Sequence, residues 1–193
     1  MKGFLDQRPI VIALAGPNGA GKSTFYQAYL RNSGLPFVNA DEIARSLPID
    51  AYRAAELAGQ LRKQRVDAGE SFIFETVLSD PVGEKVDFLK QVAASGYTVG
   101  MIFIGIDSME ASDERVSMRV LQGGHDVPLE KLQGRYPRTM KNLRYALQVL
   151  PFIFVYDNSD LLHPYHLVAR RLAGKLELFV PAPDWLQPLL PCR

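Results

Sequence analysis

Apolar residues along the chain gather in short unbroken runs. Between the runs they recur at the three- and four-residue spacing of amphipathic helices, so strands and helices are predicted to alternate. Pro9-Ile10-Val11-Ile12-Ala13-Leu14-Ala15 reads as a buried strand. Leu35 to Ala40 is a short strand, and Ser71-Phe72-Ile73-Phe74 is a third that ends at Glu75-Thr76. Val99 to Ile106 is apolar on both faces, as an internal parallel strand requires. Phe152 to Tyr156 is the last core strand and ends at Asp157-Asn158-Ser159.

Helical rhythm fills the intervals. Thr24 to Leu30 can continue as a helix, and Asp41 opens another at Glu42-Ile43-Ala44-Arg45. A longer helix is predicted from about Ala51 to Ala68, with Ala54, Leu57, Ala58 and Leu61 on one face and Gly69 as its C-cap. Asp80-Pro81 suits the N-cap and first turn of a helix running to Gly96. Ser108 to Leu121 is helical, then Gln122 to Pro128 forms a linker. Leu129, Leu132, Tyr136, Leu143, Leu147 and Leu150 form one stripe of a long segment that Pro137 should kink or split. His166–Leu172 and Lys175–Val180, joined at Ala173-Gly174, read as a two-stranded appendage before a Pro-rich tail with Trp185.

The pattern predicts an α/β fold with a mainly parallel five-stranded sheet flanked by helices and a small C-terminal β-hairpin appendage. One domain is expected over residues 1–193, with its core at about 8–160, an appendage at about 161–193 and a lid at about 115–138. Ligands of such sheets sit beyond the C-terminal strand ends, so Gly16, Asp41, Glu75, Asp107 and Asp157 should share one rim.

A hydrophobic content of 47% and a charged content of 22% are those of a soluble globular protein. The net charge of +1 offers no global attraction to nucleic acid or anionic membrane, and neither is expected as a partner. No apolar run is long enough to span a bilayer, the N-terminus has no signal-peptide pattern, and the single Cys192 cannot form an internal disulfide. Cytoplasm is the expected compartment.

Gly16-Pro17-Asn18-Gly19-Ala20-Gly21-Lys22-Ser23 fits the phosphate-binding pattern G-x-x-x-x-G-K-[ST], and it lies between a predicted strand and a predicted helix. Glycines permit the backbone angles that turn successive N–H groups around an anion, and the helix N-terminus adds further donors. The expected ligand is ATP with Mg2+, held by Gly16, Asn18, Gly19, Ala20, Gly21, Lys22, Ser23 and Thr24. Lys22 would reach the terminal phosphates, and the Ser23 hydroxyl would ligate magnesium.

Around this loop the candidates are mostly charged. Asp41 can accept the proton of an attacking hydroxyl, can cap the helix that follows it, or can do both. Glu75 can hold magnesium through water or bind the acceptor, and Asp107 competes for the magnesium role. Thr76 can bond to the acceptor or to local backbone. Arg115 and Arg119 are one helical turn apart, and Arg135 and Arg138 are similarly spaced beyond the Gly123-Gly124 linker. Cations on both sides of such a segment suit a lid that neutralises a transferring phosphoryl group, with Arg135 and Arg138 as substrate contacts. The alternative for each is a solvated helix face. His125 reads as a lid or surface residue, His163 and His166 as surface residues, and no zinc-ligand spacing is present.

With these residues in view, the chain resembles the zeta-toxin family of P-loop kinases. The resemblance rests on Gly16 to Thr24, Asn39-Ala40-Asp41, Phe74-Glu75-Thr76, Arg115 with Arg119, Gly123 to Pro128, Arg135-Tyr136 and Asp157-Asn158-Ser159. It covers roughly residues 8–160. The resemblance implies a nucleotide-kinase-like sheet and ATP-dependent phosphorylation of a small-molecule hydroxyl, with UDP-N-acetylglucosamine as the known toxin substrate. It also implies Asp41 as base, Lys22 and a lid arginine as phosphoryl stabilisers, Glu75 near the acceptor, Asn158 near the adenine, and an antitoxin-like protein partner. The family's Glu-Gly-Thr is here Glu75-Thr76-Val77, and its second lid arginine falls near His125. The reading from residues alone leaves a nucleotide-dependent regulatory or binding module as the alternative. A DNA-associated ATPase is disfavoured, because neither a Leu-Ser-Gly-Gly-Gln-like signature nor a basic tract is present.

Overall fold

All six residues of the first strand, β1 (Ile10–Ala15), are fully buried, because both faces of the strand are covered. Val11, Ala13 and Ala15 enter one core cluster, and Ile10, Ile12 and Leu14 the other. This two-residue alternation within an apolar run marks an internal strand. The structure is a computed structural model and describes residues 2–121, 129–179 and 181–190.

After a short helix α1 (Lys2–Leu5) and β1, the chain continues through α2 (Lys22–Phe25), β2 (Phe37–Val38), α3 (Ala40–Ser46), α4 (Ala51–Asp67) and β3 (Phe72–Thr76). It goes on through α5 (Glu84–Ala94), β4 (Thr98–Gly105), α6 (Met109–Leu121), α7 (Leu129–Val149) and β5 (Phe152–Asp157), and closes with the hairpin β6 (His166–Leu172) and β7 (Lys175–Leu178). The sheet order is β2-β3-β1-β4-β5-β6-β7. The first five strands pair in parallel, while β6 and β7 are antiparallel. From β1 the chain crosses to the edge strand β2, comes back inward to β3 beside β1, then passes to the other side to build β4 and β5. The C-terminal end of β1 is therefore the topological switch point, where a crevice opens in such sheets. The loop starting at Gly16 leaves β1 there.

Several expectations change in detail. The hairpin does not stand apart as an appendage. β6 pairs with β5 and extends the same sheet to seven strands. The helix expected from Asp80-Pro81 begins at Glu84, after Gly83 at φ 82, because Asp80 Oδ1 accepts the Glu84 amide from outside the helix. Pro137 does not split α7, which runs through it. Pro137 and Gln133 are both exposed, so water can reach the carbonyl deprived of its donor. Beyond α2 the helix widens into a π-helical turn, Tyr26–Leu30. Other elements follow the pattern closely: Gly69 at φ 72 terminates α4, and Leu132, Leu143, Leu147 and Leu150 of the α7 stripe are buried. No helix among the described residues is long and apolar enough to cross a membrane.

Candidate active site

The loop after β1 is braced from outside by its own carbonyls. Ser112 Oγ on α6 donates to the Asn18 carbonyl at 2.7 Å. Asn158 Nδ2, just past β5, donates to the Ala20 carbonyl at 2.9 Å, and the Tyr165 hydroxyl donates to the Gly21 carbonyl at 2.9 Å. In a trans peptide the N–H points opposite to the C=O. Turning these three carbonyls outward therefore aims the amides of Gly19, Gly21 and Lys22 into the loop. Close approach makes glycine obligatory at Gly19 and Gly21. At Gly19 (φ +70) a Cβ would sit 2.9 Å from the Ser112 carbonyl oxygen. At Gly21 (φ +88) it would sit 2.8 Å from both Asn158 Nδ2 and the Tyr165 hydroxyl. Asn18 Oδ1 is buried with no hydrogen-bond partner, so the protein does not itself fill the polar capacity of the loop.

Lys22 opens α2 and is only 6% exposed. Its ammonium bends back to donate to the Gly16 and Pro17 carbonyls, each at 3.0 Å, and lies 3.7 Å from Glu75 Oε1. Glu75, on β3 beside β1, also accepts from Ser23 Oγ at 3.3 Å and from Asn39 Nδ2 at 3.0 Å. Strand register places Glu75 opposite Leu14, next to the switch point. A hydroxyl beside a carboxylate is an oxygen donor set suited to a hard divalent cation, so Ser23 and Glu75 fit magnesium. The inward amides with Lys22 fit a polyphosphate. The contact with Ser23 favours the metal side of the two roles expected of Glu75.

Asn39, between β2 and α3, was not singled out for this task by spacing. Its Oδ1 accepts the amides of Asp41 at 2.7 Å and Glu42 at 3.4 Å, so Asn39 caps α3 and Asp41 does not. The helix starts two residues earlier than expected, at Ala40, which puts Asp41 inside the first turn. Its carboxylate is exposed and has no hydrogen bond or ion pair to a described residue. One amide side chain thus aims β2 into α3 and steadies Glu75, leaving Asp41 uncommitted at the rim.

The remaining candidates divide. Arg115 packs with its Cβ 3.1 Å from where a Gly19 Cβ would stand, and its Nη2 donates to the Ser159 carbonyl at 2.9 Å. It is anchored beside the phosphate loop and is not a solvated helix residue. The Thr76 hydroxyl accepts the Leu78 amide at 3.0 Å, the backbone role of its two alternatives. Arg135 is half-buried and Arg138 exposed on α7, and neither pairs with a described carboxylate. Asp107 is exposed past β4. The side chain of Arg119, and the whole stretch from Gln122 to Pro128 with Gly123, Gly124 and His125, lie outside the described residues. Tyr136 on α7 donates to the Ile106 carbonyl at 2.9 Å, and burial with nearby Asp107, Glu110 and Asp157 pushes its pKa up to about 12. Ser112, Tyr165 and Trp185 carried no sequence signal for the contacts they make, because each acts through a partner distant along the chain.

Two cavities flank the fold outside the loop. One of about 340 Å³ lies beside Asp157, lined by Asp160, His163, His166, Val168, Pro181 and Pro183. The other, of about 260 Å³, lies between α4 and α5.

The fold has counterparts among solved structures. The AvrRxo1-ORF1:-ORF2 complex with ATP superposes with a TM-score of 0.71 at 18% identity, over 90% of this chain and 61% of that one. The chain thus spans about three-fifths of that relative's length. The PezAT chromosomal toxin-antitoxin system of Streptococcus pneumoniae gives a TM-score of 0.52 at 16% identity, covering 81% of this chain and 72% of that one. A gluconokinase from Sinorhizobium meliloti 1021 gives 0.50 at 18%, covering 79% and 83%. These likenesses establish a nucleotide-kinase-like P-loop fold. No curated protein matches the chain in sequence. The family pattern described as Zeta toxin matches residues 4–166, spanning the loop, Asn39, Glu75, Arg115 and Asn158, and the chain belongs to the zeta-toxin family.

Proposed function

We propose that the protein is an ATP-dependent kinase that transfers the γ-phosphoryl group to a hydroxyl of a small molecule. The observation that carries this reading is the cluster in which Glu75 joins Lys22, Ser23 and Asn39 at the end of β1, with Asp41 free one turn away. Bound magnesium-ATP supplies the phosphoryl group and a divalent charge to screen it. The amides of Gly19, Gly21 and Lys22 hold the polyphosphate, and the Lys22 ammonium exchanges its carbonyl partners for phosphate oxygens. Ser23 and Glu75 orient the cation. Asp41 accepts the proton of the acceptor hydroxyl as the hydroxyl oxygen attacks phosphorus, so ADP leaves in line. Arg115 borders the nucleotide from α6, and Arg135 and Arg138 supply cations from α7.

A sugar nucleotide such as UDP-N-acetylglucosamine is the acceptor class that family membership favours. A bound protein partner resembling an antitoxin is in keeping with the toxin-antitoxin setting of the Streptococcus pneumoniae neighbour. The test is phosphate transfer from labelled ATP across a panel of sugar nucleotides, nucleosides and amino sugars. One acceptor class should be labelled by the parent protein. Asp41→Asn should bind ATP with parental heat in calorimetry yet lose about 10²–10⁴-fold in transfer rate, the range for a general base. Parental transfer by Asp41→Asn would remove Asp41 as the base. A parent that binds no ATP would remove the kinase reading.

A further inference from the structure

The tail beyond the family-matched residues 4–166 is tied into the nucleotide site. Trp185 lies over the end of β4, where a Cβ added at Gly105 would strike its indole ring. Its ring centroid is 6.2 Å from that of Phe103, and the next residue, Leu186, is fully buried. The indole Nε1–H donates to Asp157 Oδ1 at 3.1 Å, and Asp157 is the register partner of Gly105. The same oxygen accepts the Ser159 hydroxyl at 2.6 Å and the Ser159 amide at 3.2 Å. The Ser159 carbonyl then receives Arg115 Nη2 at 2.9 Å, and Arg115 packs against Gly19 of the phosphate loop.

From this chain of contacts we infer that Trp185 is a positioning residue for the nucleotide site, acting through Asp157 and Ser159 on Arg115. The strand ladder ends at Asp157 and Asn158, where the Asn158 amide donates to the Gly105 carbonyl, so Ser159 is placed by the one carboxylate oxygen of Asp157 that it shares with Trp185. The tail supplies the donor that originates outside the turn. When it is absent, the Ser159 carbonyl is less firmly placed and Arg115 loses its anchor beside Gly19. The inference rests on the kinase reading for what Arg115 borders, but not on the identity of the acceptor.

Trp185 is the only tryptophan in the chain, which gives the test a direct signal. Calorimetry of the parent with magnesium-ATP establishes binding first. A parent without heat overturns the kinase reading, and the inference with it. With binding in hand, Trp185→Phe keeps an aromatic ring over Gly105 but removes the donor. It should weaken ATP binding about three- to ten-fold, the scale of one ordinary hydrogen bond because the effect reaches ATP only through Ser159 and Arg115, with kcat at saturating ATP changed less than about two-fold. Ser159→Ala retains Trp185 and removes the shorter, hydroxyl link of the relay, leaving the residue-159 amide as its bond to Asp157. Magnesium-ATP should change Trp185 emission in the parent, and Ser159→Ala should suppress that change at ATP concentrations that saturate the variant. A merely structural tail would lower the melting temperature in Trp185→Phe and leave both the ATP affinity and the Ser159→Ala emission response at parental values. That result overturns the inference. If Trp185→Phe does not fold, the Ser159→Ala response alone decides.

Discussion

At the scale of single residues, the phosphate loop is set by contacts that face away from the ligand. Side chains from α6, from the end of β5 and from just before β6 hold its carbonyls, and the amides point inward as a geometric consequence. Gly21 shows how little tolerance remains. Its φ of +88 is costly for an L side chain, and a methyl group there would press on Asn158 and Tyr165, the two residues that brace the loop. A left-handed non-glycine residue costs about 1–2 kcal/mol, which for a chain of this size lowers Tm by roughly 2–8 °C. Gly21→Ala should show that drop in a thermal melt and should also lose its heat with ATP, because displacing Asn158 turns the Ala20 carbonyl and with it the next amide. A variant with lowered Tm but parental ATP affinity would separate the bracing from phosphate binding and refute this account of the loop.

At the scale of elements, Asn39 decides how β2 hands over to α3. Its oxygen caps the helix while its Nδ2 holds Glu75, so one side chain serves both stability and the site. The two duties can be separated. Asn39→Ala removes both, and should cost about 0.5–2 kcal/mol in urea unfolding from the lost cap. Asn39→Ser restores a capping oxygen but cannot reach Glu75 with an amide, so its stability should return toward the parent. Phosphate transfer should stay low in both, about ten-fold down, because Glu75 loses a hydrogen bond to its charged oxygen. Recovery of transfer in Asn39→Ser would assign Asn39 to capping alone. The same junction shows what the sequence could and could not reveal. The strands, the loop pattern and the Glu75 position are local signals, carried by apolar runs and glycine spacing, and they are where the rhythm places them. Capping is one of the roles open to Asp41 in the sequence, because aspartate and asparagine are both good caps, and only the fold shows that the Asn39 carboxamide meets the helix amides. The hairpin read as separate because pairing between β5 and β6 leaves no trace in either strand's own pattern. The braces from Ser112, Asn158 and Tyr165 span long stretches of chain, so no window of sequence contains both partners.

At the scale of the molecule, Tyr136 joins parts that the sheet would otherwise keep separate. It packs against both core clusters, one on each face of the sheet, and its hydroxyl ties α7 to the end of β4. Burial is the main reason that its pKa rises from 10.0 to about 12, with the carboxylates of Asp107, Glu110 and Asp157 adding to it. The sign of the pH effect follows from which state keeps the proton. Below pH 10 both folded and unfolded chains hold it, and the stabilisation from the neutral phenol is fully present. Between about 10 and 12 the unfolded chain releases the proton while the folded chain retains it, so stability falls as pH rises through that window. Tyr26, Tyr97, Tyr156 and Tyr165 are also shifted upward by burial and contribute to the same slope. The contribution of Tyr136 is therefore the difference in slope between the parent and Tyr136→Phe. At neutral pH the variant should be less stable by roughly 1 kcal/mol, for the lost hydrogen bond to Ile106. Its urea midpoint should then decline less steeply than the parent's above pH 10, so the two curves converge toward pH 12. Parallel curves across that window would mean that Tyr136 ionises with equal ease in the folded and unfolded chains, and that α7 is not held to the sheet through a desolvated hydroxyl.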